Sequence, residues 1–389
     1  MYQLIWGGGN SIAIENYLTI VALEDGLTAQ LSLNECEYCI DGDENWKSLP
    51  AATNTETINT GQTLSFRGNL TPNSSSGIGT FTISKSCNLE GNCMSMLFGD
   101  DAASNMSLSG KNYAFRKLFY NCNTIKRVSS RFLPAATLVI GCYYSMFYGC
   151  TSLTTAPKLS TKKMVEHCYD YMFYGCKSLT TAPELPATTL ANRCYYGMFY
   201  NCTSLTQAPA LPATTLATYC YQYMFNGCTS LTTAPELPAT TLEDHCYSSM
   251  FYGCSSLTTA PALPATTLTS SCYSSMFCRC SSLTTAPALP ATAMESYCYG
   301  FMFESCTNLT QAPELPATTL VSNCYYAMFR YCSKLNYIKA MFTTTPSSSY
   351  TSYWVQGVAS TGTFVKNRLA TWNVTGTSGI PSGWTVETA

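Results

Sequence analysis

Apolar residues return along this chain with a period of 26. Cys194, Met198, Phe199 and Cys202 lie at i, i+4, i+5 and i+8, the spacing of one face of a short helix. Leu205, Ala208 and Leu211 follow at three-residue steps through an extended stretch, and Leu216 anchors the way back. The same frame opens at Cys142, Cys168, Cys194, Cys220, Cys246, Cys272, Cys298 and Cys324, each followed by a second cysteine eight residues on. A fixed period in the twenties means stacked coils, each too small to bury its own apolar face. Each coil is expected to be a short helix, a corner, a short strand and a polar loop back. Stacked, these make an α/β solenoid of short parallel strands and short helices over residues 142–342.

Two features limit the coil. A glycine or asparagine before the second cysteine (Gly149, Gly175, Asn201, Gly227, Gly253) suits a helix C-terminus. A proline recurs in the strand at Pro157, Pro183, Pro209, Pro235, Pro261, Pro287 and Pro313. Lacking an N–H, it holds the expected parallel sheet to three or four residues in width.

The flanks follow other patterns. Residues 1–85 alternate in short runs and predict a small antiparallel β-domain, a sandwich. Tyr17 to Leu23 and Leu27 to Leu33 read as a hairpin around Glu24-Asp25-Gly26. Further strands are expected at 37–40, 45–49, 63–67 and 77–84. Residues 86–141 hold irregular repeats: Lys117 to Ile125 (KLFYNCNTI) matches the frame, but Cys122 to Cys150 spans 28 residues, two more than the period. Residues 343–389 break the period. Strands at 362–367 and 384–386, with Trp354, Trp372 and Trp384, predict a C-terminal β-cap over the last coil, or a small docking module.

Charge and chemistry then narrow the function. With 11% charged residues and a net charge of -2, no basic block or stripe stands out, so nucleic acid is not an expected partner. Eighteen apolar residues never run together, so no membrane insertion is expected. Residues 1–16 lack the basic and apolar regions of an export signal, so a mature form or release by lysis is expected. No G-x-S-x-G, P-loop or H-E-x-x-H occurs, and catalysis, cofactor and metal are not expected. His167 and His245 stand three coils apart as loop residues. Asp41, Asp43 and Asn45 mimic the start of a calcium loop, yet Trp46 and Ala52 fill its glycine and glutamate positions. The 22 cysteines allow three readings: small buried hydrophobes, disulfides between neighbours in one column, or zinc ligands. Cys278, outside both columns, is the expected reactive thiol.

The stretch MFYNCTSLTQAPALP, Met198 to Pro212, resembles the AF-x-x-C-x-x-L-x-x-I-x-L-P unit of BspA-type leucine-rich repeats, also called the Treponema pallidum class. Met replaces the Ala before Phe, Cys194 stands where that family has Ile, and Pro209 lies inside the strand. The resemblance covers about residues 110–342 and implies a leucine-rich repeat array. GTFVKN and GIPSGWTV near the C-terminus resemble modules that accompany such repeats in proteins of gut Bacteroidales and their bacteriophages. Together they imply a bacterial or virion surface protein that binds something and catalyses nothing.

Candidate binding residues are those that vary between copies. The residues before each first cysteine change (Val165-Glu166-His167, Ala191-Asn192-Arg193, Glu243-Asp244-His245), as do those after the following tyrosine. Tyr171, Tyr196, Tyr219, Tyr223 and Tyr297 fall there and supply large contact area at low entropy cost. A second surface is the strand ladder of Thr155, Thr181, Gln207, Thr233 and Gln311, which could hold a glycan or an extended peptide. The expected partner is a glycan or protein on a cell surface, with homo-oligomer or virion assembly open. A bacteriophage fibre or decoration protein is the first reading, a BspA-like adhesin for host matrix proteins the second, and a structural spacer the third.

Overall fold

The computed structural model describes residues 14–159 and 161–389, so the stretch read for an export signal lies, up to residue 13, outside them. The N-terminal part holds β1 (Leu18–Ala22), β2 (Ala29–Leu31), β3 (Cys36–Ile40), β4 (Lys47–Leu49), β5 (Thr63–Arg67), β6 (Phe81–Ile83) and β7 (Cys87–Gly91). With β8 (Ile125–Val128) they form a six-stranded sheet in the order β4-β3-β5-β1-β7-β8 and a two-stranded sheet β2-β6. Phe66 of β5 meets Phe81 of β6 edge-on at 5.0 Å, which joins the two sheets.

The expected hairpin of β1 with β2 is not formed. β1 pairs antiparallel with β5 and β7, and β2 pairs with β6. The reason is burial on both faces of β1. Leu18, Ile20 and Ala22 are sealed, and Thr19 between them is buried too, its hydroxyl 2.9 Å from that of Ser65. A strand buried on both faces takes a central place, with partners from later in the chain. The calcium-like residues serve a turn instead: Asp43 Oδ1 accepts the N–H of Asn45, and Asp41 Oδ1 accepts that of Thr63.

The repeats contain consecutive tight turns where short helices were expected. Tyr143, Ser145, Phe147 and Gly149 donate their N–H groups to the next coil, to the carbonyls of Cys168, Asp170, Met172 and Tyr174 at 2.7–3.1 Å. The residues between them close turns within the coil, Met146 to Tyr143 and Tyr148 to Ser145. Among the described residues the one α-helix is Ser95–Phe98. Every fourth residue of the segment is left-handed, as at Ser145 (φ 53), Gly149 (φ 70), Tyr171 (φ 54) and Gly175 (φ 69), and this alone rules out a helix. The glycines read as helix ends are two of those four. Spacing of i, i+4, i+5, i+8 fits a four-residue turn as well as a 3.6-residue helix.

The parallel ladder is narrower than expected. Thr155, Thr181, Gln207, Thr233, Thr259 and Thr285 are joined by single bridges, one residue per coil. The ladder widens into true strands only beyond the prolines. At the N-terminal end β8 pairs with β7, and Ser129 holds the proline position. At the C-terminal end β9 (Tyr337–Ala340) has Lys339 there, and pairs in parallel with β10 (Thr363–Lys366), which pairs with β11 (Thr385–Thr388).

The core is a set of columns. Buried Tyr143, Tyr169, Tyr195, Tyr221, Tyr247, Tyr273, Tyr299 and Tyr325 stack at 5.7–6.1 Å. The phenylalanine column begins in the β-sheets, with Phe81 on Phe119 and Phe119 on Phe147, and ends where Phe329 meets Trp354. The first coil's two extra residues fall at 129–134, where Phe132 turns in against Phe119. The period survives past residue 343: Tyr325, Ala327, Phe329 and Tyr331 donate to Tyr350, Ser352, Trp354 and Gln356, as in every other coil. Trp354 and Val355 replace the usual Met and Phe, which hid this coil from sequence reading. Trp354, Trp372 and Trp384 each donate an indole N–H to a backbone carbonyl beneath the cap.

All 22 cysteines are free and buried. Those of the second column donate Sγ–H to the phenylalanine carbonyl of the preceding coil, as from Cys176 to Phe147 (3.2 Å) and Cys228 to Phe199 (3.1 Å). Cys278, expected to be reactive, is 1% exposed, lies 3.6 Å from Glu304 Oε2, and has its thiol pushed up by burial and then by that carboxylate.

Candidate functional site

The four-residue turn sorts side chains by position. The cysteine, the tyrosine after it and the Met-Phe pair point inward, which is why they do not change from coil to coil. The residue before the cysteine, the two between Tyr and Met and the residue after Phe make up the turn face, which is part exposed, as at Tyr297, and part buried, as at Asp170, Gln222 and Asn226. The variable residues around the first cysteine therefore gather on one turn face.

On that face, three of the expected site tyrosines meet. Tyr171 and Tyr196 are edge-to-face at 5.1 Å, and Tyr196 and Tyr223 at 5.4 Å. Tyr219 is elsewhere on the face, stacked on His245 at 4.8 Å, and Tyr297 stands apart beside Tyr326. The strand candidates form a separate, exposed ladder. Thr155, Thr181, Gln207 and Thr233 are consecutive rungs, whereas Gln311 bridges to Tyr337, with no bridge between it and Thr285 among the described residues. Between the rungs' prolines lie shallow apolar clefts, one of them lined by Ala182, Leu185, Pro186, Pro209 and Pro212.

Sequence reasoning missed the neighbours that complete the tyrosine cluster. Tyr120, Tyr148, Tyr174 and Tyr200 form a half-buried stack with centroids 4.7, 4.3 and 4.8 Å apart. Tyr171 lies edge-on to Tyr174. Arg193 lies 3.8 Å above the Tyr196 ring and Arg116 4.2 Å above Tyr144, while Lys117 sits 5.3 Å from Tyr120. Beneath them Asp170 is fully buried. Its Oδ2 receives Arg193 Nε at 3.2 Å and lies 2.7 Å from His167 Nδ1. Burial raises the Asp170 carboxyl, and the hydrogen bond from His167 and the charge of Arg193 oppose that rise. Among the described residues no group of three or more His, Cys, Asp or Glu is placed to hold a metal ion, and no helix is long and apolar enough to cross a membrane.

Residues 115–257 and 241–353 match the profile of the BspA type leucine rich repeat region, in six copies. The chain belongs to this family. BspA-type repeat proteins are commonly surface or binding proteins, and here the array's invariant frame and variable turn face give that description a physical form. No curated protein and no solved structure matches the chain.

Proposed function

We propose that this BspA-type chain is a non-enzymatic recognition protein that works at a cell or virion surface and binds through its turn face. One observation carries the reading: the coils keep an unchanging inward frame, while the turn-face positions change from coil to coil and gather tyrosine, arginine and histidine into one connected cluster. Rigid aromatic side chains held in place by their neighbours are the usual anchors of recognition surfaces. A fibre or decoration protein of a bacteriophage of gut Bacteroidales, meeting a glycan or protein of its host, is the placement we favour.

The test is binding of the purified chain to intact gut Bacteroidales cells, before and after enzymatic removal of their capsular polysaccharide, with immobilised fibronectin and fibrinogen in parallel. Saturable binding lost with the capsule supports the proposal. Binding to the matrix proteins alone supports a BspA-like adhesin instead, and binding to neither supports a structural spacer.

A further inference from the structure

The overall charge of -2 conceals a strong internal asymmetry. Residues 104–193 carry eleven Lys and Arg against three Asp and Glu, a net charge of +8. Residues 1–103 carry three against twelve, and the remainder is nearly balanced. Tyr120, Tyr144, Tyr148, Tyr171 and Tyr174 of the turn-face cluster fall inside the basic segment, and Tyr196, Tyr200 and Tyr223 lie beyond its end.

Most of that charge is not spent within the molecule. Arg127 and Arg131 reach back to Glu90 and Glu15, and Arg193 is committed to Asp170. Arg116 and Lys117 make no ion pair among the described residues, and Arg116 Nε has no hydrogen-bond partner. Both lie against tyrosines of the cluster, Arg116 on Tyr144 and Lys117 beside Tyr120. Asp170, on the same face, is buried and paired with His167 and Arg193, and Glu166 lies beside His167 at 3.7 Å.

Ring geometry then selects the ligand. Single-stranded nucleic acid binds proteins by stacking its bases on open aromatic faces. Here Tyr148 and Tyr174 are covered on both sides by their neighbours in the stack, and Tyr144 and Tyr196 are covered by arginine. What the cluster presents outward is ring edges and phenol hydroxyls beside unspent cationic donors. Hydroxyls suit the hydroxyls of a sugar, and guanidinium suits a carboxylate.

Resting on the recognition role proposed above, we infer that the turn face from Arg116 to Tyr223 binds an anionic polysaccharide, its acid groups on Arg116 and Lys117 and its hydroxyls along the tyrosines. Binding should weaken with salt, as interactions of exposed charges do.

The experiment measures binding of the full chain to polygalacturonate, neutral dextran and a short single-stranded DNA at two salt concentrations. The variant R116Q/K117Q is compared with K334Q/R368Q, which removes equal charge from the far end, and with R116K, which keeps charge at the site. Expected are salt-sensitive binding to polygalacturonate alone, a loss of about tenfold in R116Q/K117Q, and wild-type behaviour in K334Q/R368Q and R116K. Melting curves of every variant show that each is folded. Equal binding to dextran, equal or tighter binding to DNA, or unchanged affinity in R116Q/K117Q overturns the inference. If the chain saturates on cells but neither binds polygalacturonate nor is displaced by it, this inference falls and the recognition role stands. Failure on cells removes the role itself.

Discussion

The ring of Tyr171 lies against the backbone of Gly197 one coil on, so closely that a Cβ at residue 197 would fall 2.5 Å from Tyr171 Cε1. Gly197 also holds a left-handed turn position (φ 53). The same knob-and-hole relation recurs where Tyr113 covers Gly141 and Tyr331 covers Gly357. These pairs place a large residue only where the next coil supplies none.

Gly197→Ala is therefore expected to push the Tyr171 ring outward and break its edge-to-face contacts with Tyr174 and Tyr196. The left-handed backbone costs alanine about 1 kcal/mol, and each aromatic pair contributes about 0.5–1.5 kcal/mol. The melting temperature should fall, and near-ultraviolet dichroism should change. Tyr171→Ala with Gly197→Ala should be less destabilising than the sum of the two single variants. Additive losses would show that the ring does not rest on Gly197.

The thiols are expected to be inert in the native chain. All are buried, and burial pushes Cys228 and Cys332 up to about 12. Since the thiolate is the nucleophile, a colorimetric disulfide reagent at neutral pH should label no cysteine rapidly in the folded protein and all 22 after denaturation. Rapid labelling of any native thiol, Cys278 above all, contradicts this.

The sequence showed the period, the inward frame and the capping tryptophans, because apolar columns leave a direct trace in residue type. It misled on the helix, because Met198 and Phe199 take the same spacing in a four-residue turn, and only the left-handed residues and inter-coil hydrogen bonds separate the two. It misled on the hairpin, because alternation at Tyr17 to Leu23 marks a strand without naming its partner. Of the candidate site, Tyr171, Tyr196 and Tyr223 were legible as variable positions. Arg116, Lys117 and Tyr120 were not, since they lie in an irregular coil and the charge total hides a basic segment that a windowed count reveals.

The proline column sets the width of the ladder, so its ends should respond to proline in opposite ways. Lys339→Pro places the ring in β9, beside Val365 in the register of β9 and β10. Since Lys339 O accepts from Leu315 N, its own N–H faces the preceding coil, and the ring should loosen the bridge between Leu315 and Ala340, at a cost of about 1–3 kcal/mol. Pro235→Ala supplies a donor but frees the unfolded chain by about 0.4–1 kcal/mol, so little net change is expected. Amide exchange at Leu315 and Met341 checks the first variant and melting temperature the second. Unaltered exchange in Lys339→Pro would mean that proline does not limit the ladder.

Alkaline pH should unfold the chain early. In the unfolded state a thiol ionises at about 8.5, whereas in the native state Cys142, Cys220 and Cys228 are pushed up to about 12 by burial. Between those values the native state binds more protons than the unfolded state, so stability falls as pH rises, by about 1.4 kcal/mol per pH unit for each such thiol once the unfolded form is ionised. The buried tyrosine column, raised in the same way by burial, adds to the slope above pH about 10. In the presence of reductant, the melting temperature is expected to hold steady to about pH 8 and to drop steeply by pH 10. Cys228→Ala, destabilising at neutral pH by loss of its bond to Phe199, should show a shallower fall. A melting temperature unchanged up to pH 10 would require the thiols to be ionised already or open to solvent, against the burial of every column.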